Sequence, residues 1–339
     1  MGEKYSGATR KVDSYVRAEK PVKKRLILCY PSLHVCSSCE IRKCNQIETV
    51  LYFVATVTLL GNVRRVFAED RDCTMTQHIT LAEAATLVRD EMTLALGGMT
   101  VYRRPVAFVR ELLRRNPRPK DLTLLCFTAG YESDLLVGAG CVKTVRSAYF
   151  GLESFGLAPM FTEAANRGDI HILEETEASL AMGIRAKTAG VGFMPSNAWI
   201  GTDLPRLRPD VKTVIDPYSG EELMAFPAIK CDVAVLHGLE GDADGNVKLN
   251  NNLGVDMELV YIADTVIVTV ERIVEKCERS TDGLLIPSPG ITYIAHAPRG
   301  AYPTSCYPDY PVAGGEFLRY IDACNAGKFE DYLAEMVLA

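Results

Sequence analysis

Residues 94–115 combine residue types that bind anions. The stretch LALGGMTVYRRPVAFVRELLRR places Gly97 and Gly98 a few residues ahead of Arg103 and Arg104. Glycine lets backbone N–H groups approach a ligand closely, and guanidinium groups form paired hydrogen bonds with phosphate or carboxylate oxygens. The spacing matches neither the Walker loop nor the dinucleotide-binding fingerprint, so it predicts an anion site without identifying the anion. The alternative is a tight turn followed by arginines that face the solvent.

Three other segments contain residues capable of binding or catalysis. Glu153 lies in the sequence GLESFG, where a predicted strand meets a turn, and it could contact a substrate or cap the following helix. His237 ends a predicted strand, where it could face a cleft, although a core histidine is the simpler interpretation. The sequence GDADGNV at 241–247 resembles a calcium loop but lacks the closing glutamate, so it predicts a turn.

The elements that hold these residues follow from the hydrophobic pattern after Met75. Short apolar runs predict strands at 92–96, 122–128, 142–149, 170–173, 232–237 and 264–270. Amphipathic segments predict helices near 105–115, 132–139, 159–167, 178–188 and 256–263. Apolar strands separated by helices are typical of an α/β fold with an open, largely parallel sheet and helices on both faces. Such sheets bind ligands at the carboxyl ends of their strands, which is where Gly97 and Gly98 fall.

Local signals refine two helix starts and one connection. Thr80 and Glu83 have the spacing of a capping box, which predicts a helix start at this point. Pro105 is predicted to be the first residue of the helix that follows the arginines. The segment 202–231 is rich in proline, aspartate and glycine, and it predicts a long excursion near the rim of the sheet.

The composition excludes several classes of protein. The chain has 339 residues, of which 48% are hydrophobic and 24% charged, as in an ordinary globular protein. Its formal net charge of -6 argues against a nucleic-acid-binding protein, which would show a basic stripe. The 11 cysteines are odd in number and scattered, which favours reduced thiols in a cytoplasmic protein. Cys36 and Cys39 have no second pair at zinc-finger spacing, so we predict no metal site.

Residues 1–74 differ from the rest of the chain. They are basic and cysteine-dense, and they include an apolar run, 50–63, that is shorter than the ~20 residues of a membrane helix. The first residues show no secretory signal. We interpret 1–74 as an extension of doubtful order, with Met75 as a candidate natural start, and 75–339 as the folded domain.

Four stretches, in order, make the chain resemble the α subunit of a family I coenzyme A transferase of the glutaconate branch. They are GGMTVYRRPVAFVREL, VGAGCVKTVRSAYFGLESFGLAPMFTEA, EETEASLAMGIRAKTAGVGFMP, and DVAVLHGLEGDADGNV followed by ADTVIVTVERIVE. The resemblance covers roughly residues 78–335. It implies an open α/β subunit that pairs with a homologous β subunit, as a heterodimer or a larger oligomer. It also implies a coenzyme A thioester as substrate, with no permanently bound cofactor.

The resemblance further implies a reaction. In the transferases a glutamate, usually on the β subunit, attacks the acyl-CoA thioester, and an anhydride and then a glutamyl-CoA thioester form before coenzyme A passes to a second acid. A sister branch opens the last steroid rings in bacterial cholesterol catabolism, and its α-subunit base matches Glu177. The ordinary alternative for Glu177 is an acidic helix start favoured by the helix dipole. Asn197 and Trp199 follow GFMPS, where the family contacts its substrate, or they only pack in that loop.

We therefore predict a CoA-transferase α subunit in which Glu177 is catalytic. The residues predicted to bind coenzyme A or the substrate are Gly97, Gly98, Arg103, Arg104, Glu153 and Asn197. The ring-opening hydrolase is the second hypothesis. The third is a non-catalytic small-ligand sensor on a related fold, although such sensors usually carry a helix-turn-helix module that 1–74 does not show. We predict neither nucleic acid nor a membrane among the partners.

Overall fold

The computed structural model describes residues 76–338, so the predictions for 1–74, including those for Cys36 and Cys39, lie outside the described residues. The strands are β1 (Gln77–His78), β2 (Thr93–Leu96), β3 (Leu122–Ala129), β4 (Val142–Phe150), β5 (His171–Glu174), β6 (Phe193–Ser196), β7 (Lys212–Ile215), β8 (Glu222–Pro227), β9 (Cys231–Asp242), β10 (Val247–Asn250), β11 (Ala263–Val274), β12 (Gly283–Ile286) and β13 (Tyr293–His296). The helices are α1 (Leu81–Thr86), α2 (Val106–Arg114), α3 (Tyr131–Gly138), α4 (Pro159–Arg167), α5 (Glu177–Thr188), α6 (Leu204–Leu207), α7 (Asp256–Ile262), α8 (Gly314–Asn325) and α9 (Phe329–Leu333). Within 76–338, no helix has both the length and the apolar character needed to span a membrane.

The central sheet is open and mostly parallel, as the sequence predicts. Its main strands follow the order β1-β13-β11-β9-β2-β3-β4-β5, and every neighbouring pair in this path is parallel. The short strands β10 and β12 extend one edge of β9 in antiparallel fashion. Because β2 pairs with β3 on one side and with β9 on the other, the loop after β2 emerges at the middle of the sheet.

Helices cover both faces of the sheet, which confirms the predicted layering. Along β2, Leu94 and Leu96 belong to one apolar cluster, and Ala95 between them belongs to the other. This alternation is what a strand buried on both faces requires. The first cluster includes the buried face of α2, and the second includes residues of α5 and α7.

The segment 202–231 is more ordered than predicted. Together with 193–196 it forms a three-stranded antiparallel sheet in the order β6-β8-β7. Met224 and Phe226 of β8 are buried and pack with Trp199 and Val211 in a small core of their own. The turn-forming composition of 202–231 concealed the apolar residues at alternate positions of β8, which were the signal for a strand.

Three local predictions have different outcomes. The capping box at Thr80 is present, because its side chain accepts the N–H of Glu83 and Glu83 accepts the N–H of Thr80. Pro105 is the N-cap of α2 and precedes its first residue, Val106, whereas the sequence predicted Pro105 as the first residue of the helix. The turn at 241–247 is confirmed, since the N–H of Gly245 donates to the carbonyl of Asp242 at 3.0 Å between β9 and β10.

Candidate functional site

The carboxyl ends of neighbouring strands bring the predicted site residues into one row. Gly97 follows β2, Glu153 follows β4 and Glu177 follows β5. Neighbouring strands lie about 4.8 Å apart, so the row from β2 to β5 spans about 15 Å. This length suits an extended ligand better than a single small anion.

Close packing accounts for both glycines of the loop 97–104. A Cβ on Gly97 would lie 2.3 Å from Leu236 Cδ2 and 2.6 Å from Asp256 Oδ1. Gly98 has a φ of 77°, and a Cβ there would lie 2.4 Å from the carbonyl oxygen of Arg103. A backbone oxygen cannot move aside as a flexible side chain can, so this loop conformation requires glycine at position 98.

Arg103 lies entirely inside the protein and joins the loop to the start of α7. Its Nη2 donates to Asp256 Oδ2 at 2.7 Å and to the carbonyl of Asn252 at 2.9 Å. Its Nε donates to Asn250 Oδ1 at 3.1 Å. Burial alone raises the pKa of Asp256, but the charge and hydrogen bonds of Arg103, with the N–H of Gly98, outweigh burial and lower that pKa. Asp256 is therefore an anion that Arg103 neutralises.

Arg104 is equally buried and joins the loop to the start of α3. Its Nε and Nη2 donate to Glu132 Oε1 at 2.9 and 2.6 Å. Its Nη1 donates to the carbonyls of Gly98 and Thr128 at 3.0 and 2.9 Å. The two arginines thus hold the loop against α7, which precedes β11, and against α3, which follows β3.

These contacts correct the role predicted for the two arginines. Arg103 and Arg104 are 0% exposed, and each is paired with a carboxylate of the protein, so neither guanidinium faces a ligand or the solvent. The backbone N–H groups of Gly97 and Gly98 donate to the carbonyl of Val235 and to Asp256. The arrangement therefore suits arginines that position the loop, with the anion bound elsewhere along the row.

A second buried network lies between β9 and β11. His237 is 0% exposed, with Nε2 2.8 Å from Glu271 Oε1 and Nδ1 2.8 Å from Thr269 Oγ1. The Tyr310 hydroxyl and the N–H of Arg299 also donate to Glu271. Burial lowers the pKa of His237, which leaves the imidazole neutral. Burial opposes the ionisation of Glu271, but the hydrogen bonds from His237, Tyr310 and Arg299 prevail and lower its pKa. The interpretation of His237 as a core histidine is confirmed.

The same network contains a possible set of metal ligands. His237, Glu271 and Cys306 are buried, and one ligand atom from each lies within 4.8 Å of the others. Imidazole, carboxylate and thiolate are ligands that transition metals accept. However, both ring nitrogens of His237 and both oxygens of Glu271 already have protein partners. Burial also raises the pKa of the Cys306 thiol to about 12, so the trio as arranged is a hydrogen-bonded cluster.

Two glutamates at the start of α5 differ in burial: Glu175 is buried and Glu177 is exposed. Glu175 is 7% exposed, and its Oε1 accepts from Arg146 Nε at 2.6 Å and from Arg208 Nη1 at 3.0 Å. Glu177 is exposed and is the first residue of α5, where the helix dipole favours an anion. Glu177 can therefore be reached by water or by a ligand, whereas Glu175 has a structural role. The catalytic role of Glu177 stays a prediction.

The cap of α5 brings the loop of Asn197 to the same edge. Thr176 caps the helix by accepting the N–H of Ser179 at 3.2 Å. The same hydroxyl oxygen accepts from Trp199 Nε1 at 2.9 Å. Trp199 itself is 5% exposed and packs edge-on against Phe226, so it belongs to the small core. Asn197 is exposed two residues before it, beside the start of α5.

Glu153 does not cap the helix that follows it. It is exposed and lies in a short 3₁₀ turn directly after β4, with a φ of 53°. The start of α4 is instead stabilised by Asp134, whose carboxylate accepts the N–H groups of Met160 and Phe161 at 3.2 and 2.6 Å. A positive φ at a residue other than glycine is a strained conformation that is more frequent at functional sites. Contact with a ligand remains the open hypothesis for Glu153.

Sequence reasoning missed the acidic partners of the arginines. Glu132 and Asp256 each lie in the first turn of a helix, where an acidic residue is ordinarily explained by the dipole. A signal was present, because two adjacent arginines in an apolar context need acidic partners if they are buried. Which acids those are depends on the order of the strands, and spacing along the chain does not give that order.

Comparisons with known proteins agree with this geometry. The coenzyme A transferase family model matches residues 78–297. The A subunit of 3-oxoadipate CoA-transferase from Pseudomonas knackmussii is 33% identical over 240 residues, which cover 70% of this chain and 84% of that protein. The IpdA subunit of the cholesterol ring-cleaving hydrolase from Rhodococcus jostii is 33% identical over 244 residues, which cover 67% of this chain and 79% of that protein. The structure of glutaconate coenzyme A-transferase from Acidaminococcus fermentans has a TM-score of 0.71 and 27% identity, covering 78% of this chain and 89% of that one.

Proposed function

This chain belongs to the coenzyme A transferase family, and we propose that, with a partner subunit, it moves coenzyme A from an acyl-CoA to a second carboxylic acid. It is an α-type subunit, since its transferase relatives are the A subunits of their enzymes. The observation that carries the proposal is the extent of the family match. Residues 78–297 run from β1 to β13 and so include the whole parallel sheet and the loop after β2. The partner proposed here is a homologous β subunit.

The row of residues at the carboxyl edge supports a binding role for this chain. We expect the thioester to lie along this edge, beside the loop whose conformation depends on the close packing of Gly97 and Gly98. Arg103 and Arg104 act on the ligand only through the loop that they hold. The exposed polar groups of Glu153 and Asn197 are the proposed contacts for the substrate, because both reach the same edge.

The proposed chemistry needs a carboxylate nucleophile. A carboxylate attacks the thioester carbonyl, the C–S bond breaks, and an anhydride and a coenzyme A thiolate result. The thiolate then attacks the enzyme-side carbonyl, which releases the first acid and leaves coenzyme A on the enzyme. The second acid takes coenzyme A by the reverse steps. We assign the nucleophile to the partner subunit, which this chain faces across the carboxyl edge.

The relatives that cleave the cholesterol ring favour a second candidate function. They are as similar to this chain as the transferase is, at 33% identity in each case. In that function Glu177 would take a proton from water, and the resulting hydroxide would add to a ring ketone. The C–C bond would then break to give a carboxylic acid, and the carbon that leaves as a carbanion would take up the proton held by Glu177. A base needs access to water and shielding from bulk solvent. The exposure of Glu177 provides the access, and a partner subunit over the start of α5 would provide the shielding.

The two functions predict different products from the assembled protein. The chain and its β subunit are co-expressed and given an acyl-CoA, with and without an acceptor acid, and the thioesters are followed by mass spectrometry. For a transferase, we expect a new thioester of the acceptor and no turnover without it. For a hydrolase, we expect the mass of a cyclic dione thioester to increase by that of one water molecule, with coenzyme A still attached.

The variant Glu177→Gln separates the roles of this chain. Under transfer with a partner nucleophile, the variant retains most of its activity, because an exposed carboxylate that does not react contributes only to binding. Under ring opening, removal of the general base lowers turnover by about 10²–10⁴-fold. Asp203→Asn, an exposed carboxylate in the ion pair with Arg206, is the matched control. Inactivity of the assembled wild type toward every thioester tried would contradict both functions.

A further inference from the structure

A cavity lies at the opposite end of the sheet from the candidate site. It has a volume of about 670 Å³ and lies between the end of α2, the loop 115–121 and the turn between α3 and β4. The strand β3 runs from this end to the carboxyl edge and is eight residues long. At about 3.3 Å per residue, the two ends lie about 25 Å apart. A ligand in this cavity therefore does not occupy the row of residues proposed for the thioester.

The cavity is strongly basic, although the chain as a whole is acidic, with a net charge of -6. Its charged lining residues are Arg114, Arg115, Arg118 and Lys120, and the described residues that line it include no aspartate or glutamate. Glu111, which is nearby, is already paired with Arg114 at 3.2 Å. Among the described residues, Arg115, Arg118 and Lys120 have no ion-pair partner, and the nearby Asp90 accepts only the backbone N–H of Lys120, at 2.9 Å. Three such cations around one cavity indicate a ligand with more than one negative charge.

Two of the guanidinium groups are held in position by the protein. Arg118 donates through Nε to the carbonyl of Leu113 at 2.8 Å, and Arg115 donates through Nη1 to the carbonyls of Ala85 and Val88. These bonds also satisfy carbonyls at helix ends, which would otherwise repel an anion. Within residues 76–338, Nη1 and Nη2 of Arg118 have no protein acceptor. A positioned fork with unused N–H groups is suited to bind a phosphate at little cost in conformational entropy.

The rest of the lining suits a ring system. Leu113, Pro117, Pro119 and Ala139 supply apolar walls, and the volume falls in the range of about 300–1,000 Å³ that small-molecule sites occupy. Burial raises the pKa of the Cys141 thiol in this cavity to about 11, so the thiol is neutral near pH 7. It therefore adds no negative charge that would compete with a ligand for the cations.

We propose that this cavity binds a phosphorylated compound of nucleotide size. The phosphates would lie against Arg118 and Lys120, and the ring system would lie against Pro117 and Pro119. Because the site is far from the carboxyl edge, the ligand would bind together with the thioester and would not displace it. The proposal does not depend on which reaction the enzyme performs.

The test is calorimetric titration of ADP into the assembled two-subunit protein, in the presence of saturating coenzyme A. We expect one saturable site per α subunit, weaker binding as salt increases, and much weaker binding of adenosine or inorganic phosphate. Lys120→Gln is expected to raise the Kd about tenfold, the effect of losing one charge-assisted hydrogen bond. Arg118→Gln is expected to raise it at least as much. Arg206→Gln, which removes an arginine that is 83% exposed on α6, should leave the Kd unchanged.

Three results would overturn the proposal. The first is the absence of saturable ADP binding up to millimolar concentration. The second is competition between ADP and coenzyme A, which would place the nucleotide at the reaction site. The third is an unchanged Kd in both Lys120→Gln and Arg118→Gln. Lys120 is exposed and its side chain is not part of the core, so its substitution leaves the fold intact even if Arg118→Gln destabilises α2.

Discussion

At the scale of single residues, buried charge pairs shape the candidate site more than exposed functional groups do. Arg103 with Asp256, and Arg104 with Glu132, are 0% exposed at both partners. A buried ion pair contributes little net stability compared with an apolar pair, yet removal of one partner leaves an uncompensated charge. The pairs therefore act mainly by allowing one conformation of the loop after β2 and excluding others.

Asp256→Asn is predicted to destabilise the protein by about 3–5 kcal/mol, because it leaves the guanidinium of Arg103 buried without a counter-ion. The measurement is urea unfolding followed by circular dichroism. Asp203→Asn, which removes an exposed partner of Arg206, is the matched control and should leave the midpoint unchanged. Equal midpoints for the wild type and Asp256→Asn would show that the pair does not hold the loop.

The neutral state of His237 predicts a pH dependence of stability. Its pKa in the folded protein lies below 6.5, its ordinary value, so below about pH 6.5 the unfolded chain binds a proton that the folded protein does not. Stability therefore falls as the pH falls through this window, by up to about 1.4 kcal/mol per pH unit. Glu271, whose pKa is also lowered, adds stability that is lost at still lower pH.

Comparison with His237→Gln isolates this contribution. The variant should show a flatter dependence of melting temperature on pH between about 7 and 5. Asp134 acts in the opposite direction at lower pH, because burial raises its pKa to about 6, but the substitution does not alter it. Parallel curves for the wild type and the variant would mean that His237 has the same pKa in the folded and unfolded states, which would contradict the account.

At the scale of elements, the loop 97–104 depends on two conformational requirements at once. Gly98 needs a positive φ, and the space of its missing side chain is taken by the backbone of 102–103. The sequence identified the loop and its place after a strand, because glycines after an apolar run are a local signal. The sequence did not show that the arginines point inward, because their partners lie on elements distant in the chain.

Gly98→Ala is predicted to cost several times as much stability as an ordinary glycine substitution. Alanine at a positive φ costs on the order of 1 kcal/mol, and the contact with the Arg103 carbonyl adds to this. Gly220→Ala is the matched control, because Gly220 has a φ of 76° and a Cβ added there would meet nothing within 4 Å. Thermal unfolding and acyl-CoA turnover should both be affected in the first variant, and equal melting temperatures would contradict the close approach.

The secondary structure shows which elements are predictable without a structure. Strands such as 122–128 and 264–270 were predicted within a few residues because they are continuous apolar runs. The small sheet of β6, β7 and β8 was missed, because its strands are short and two of them, β6 and β8, contain a proline. The hydrogen bond between Trp199 and Thr176, which joins the core of that sheet to the start of α5, has no signature in the sequence.

At the scale of the whole molecule, Glu153, Glu177 and Asn197 are exposed at the carboxyl edge, where we propose that a partner subunit acts. The proposed nucleophile comes from that β subunit. Family membership followed from four ordered motifs in the sequence, and the family model and the fold agree with it. In the proposed account, the nucleophile for transfer lies on the partner subunit and the base for ring opening is Glu177 of this chain.

The most direct test follows oxygen atoms through turnover of the assembled enzyme in ¹⁸O-labelled water. Coenzyme A transfer moves the carboxylate oxygens between acids and enzyme, so we predict a new thioester of the acceptor and a released acid that carries no oxygen from the solvent. Mass spectrometry of both products measures this. A released or ring-opened product that contains solvent oxygen, with no new thioester, would contradict the account.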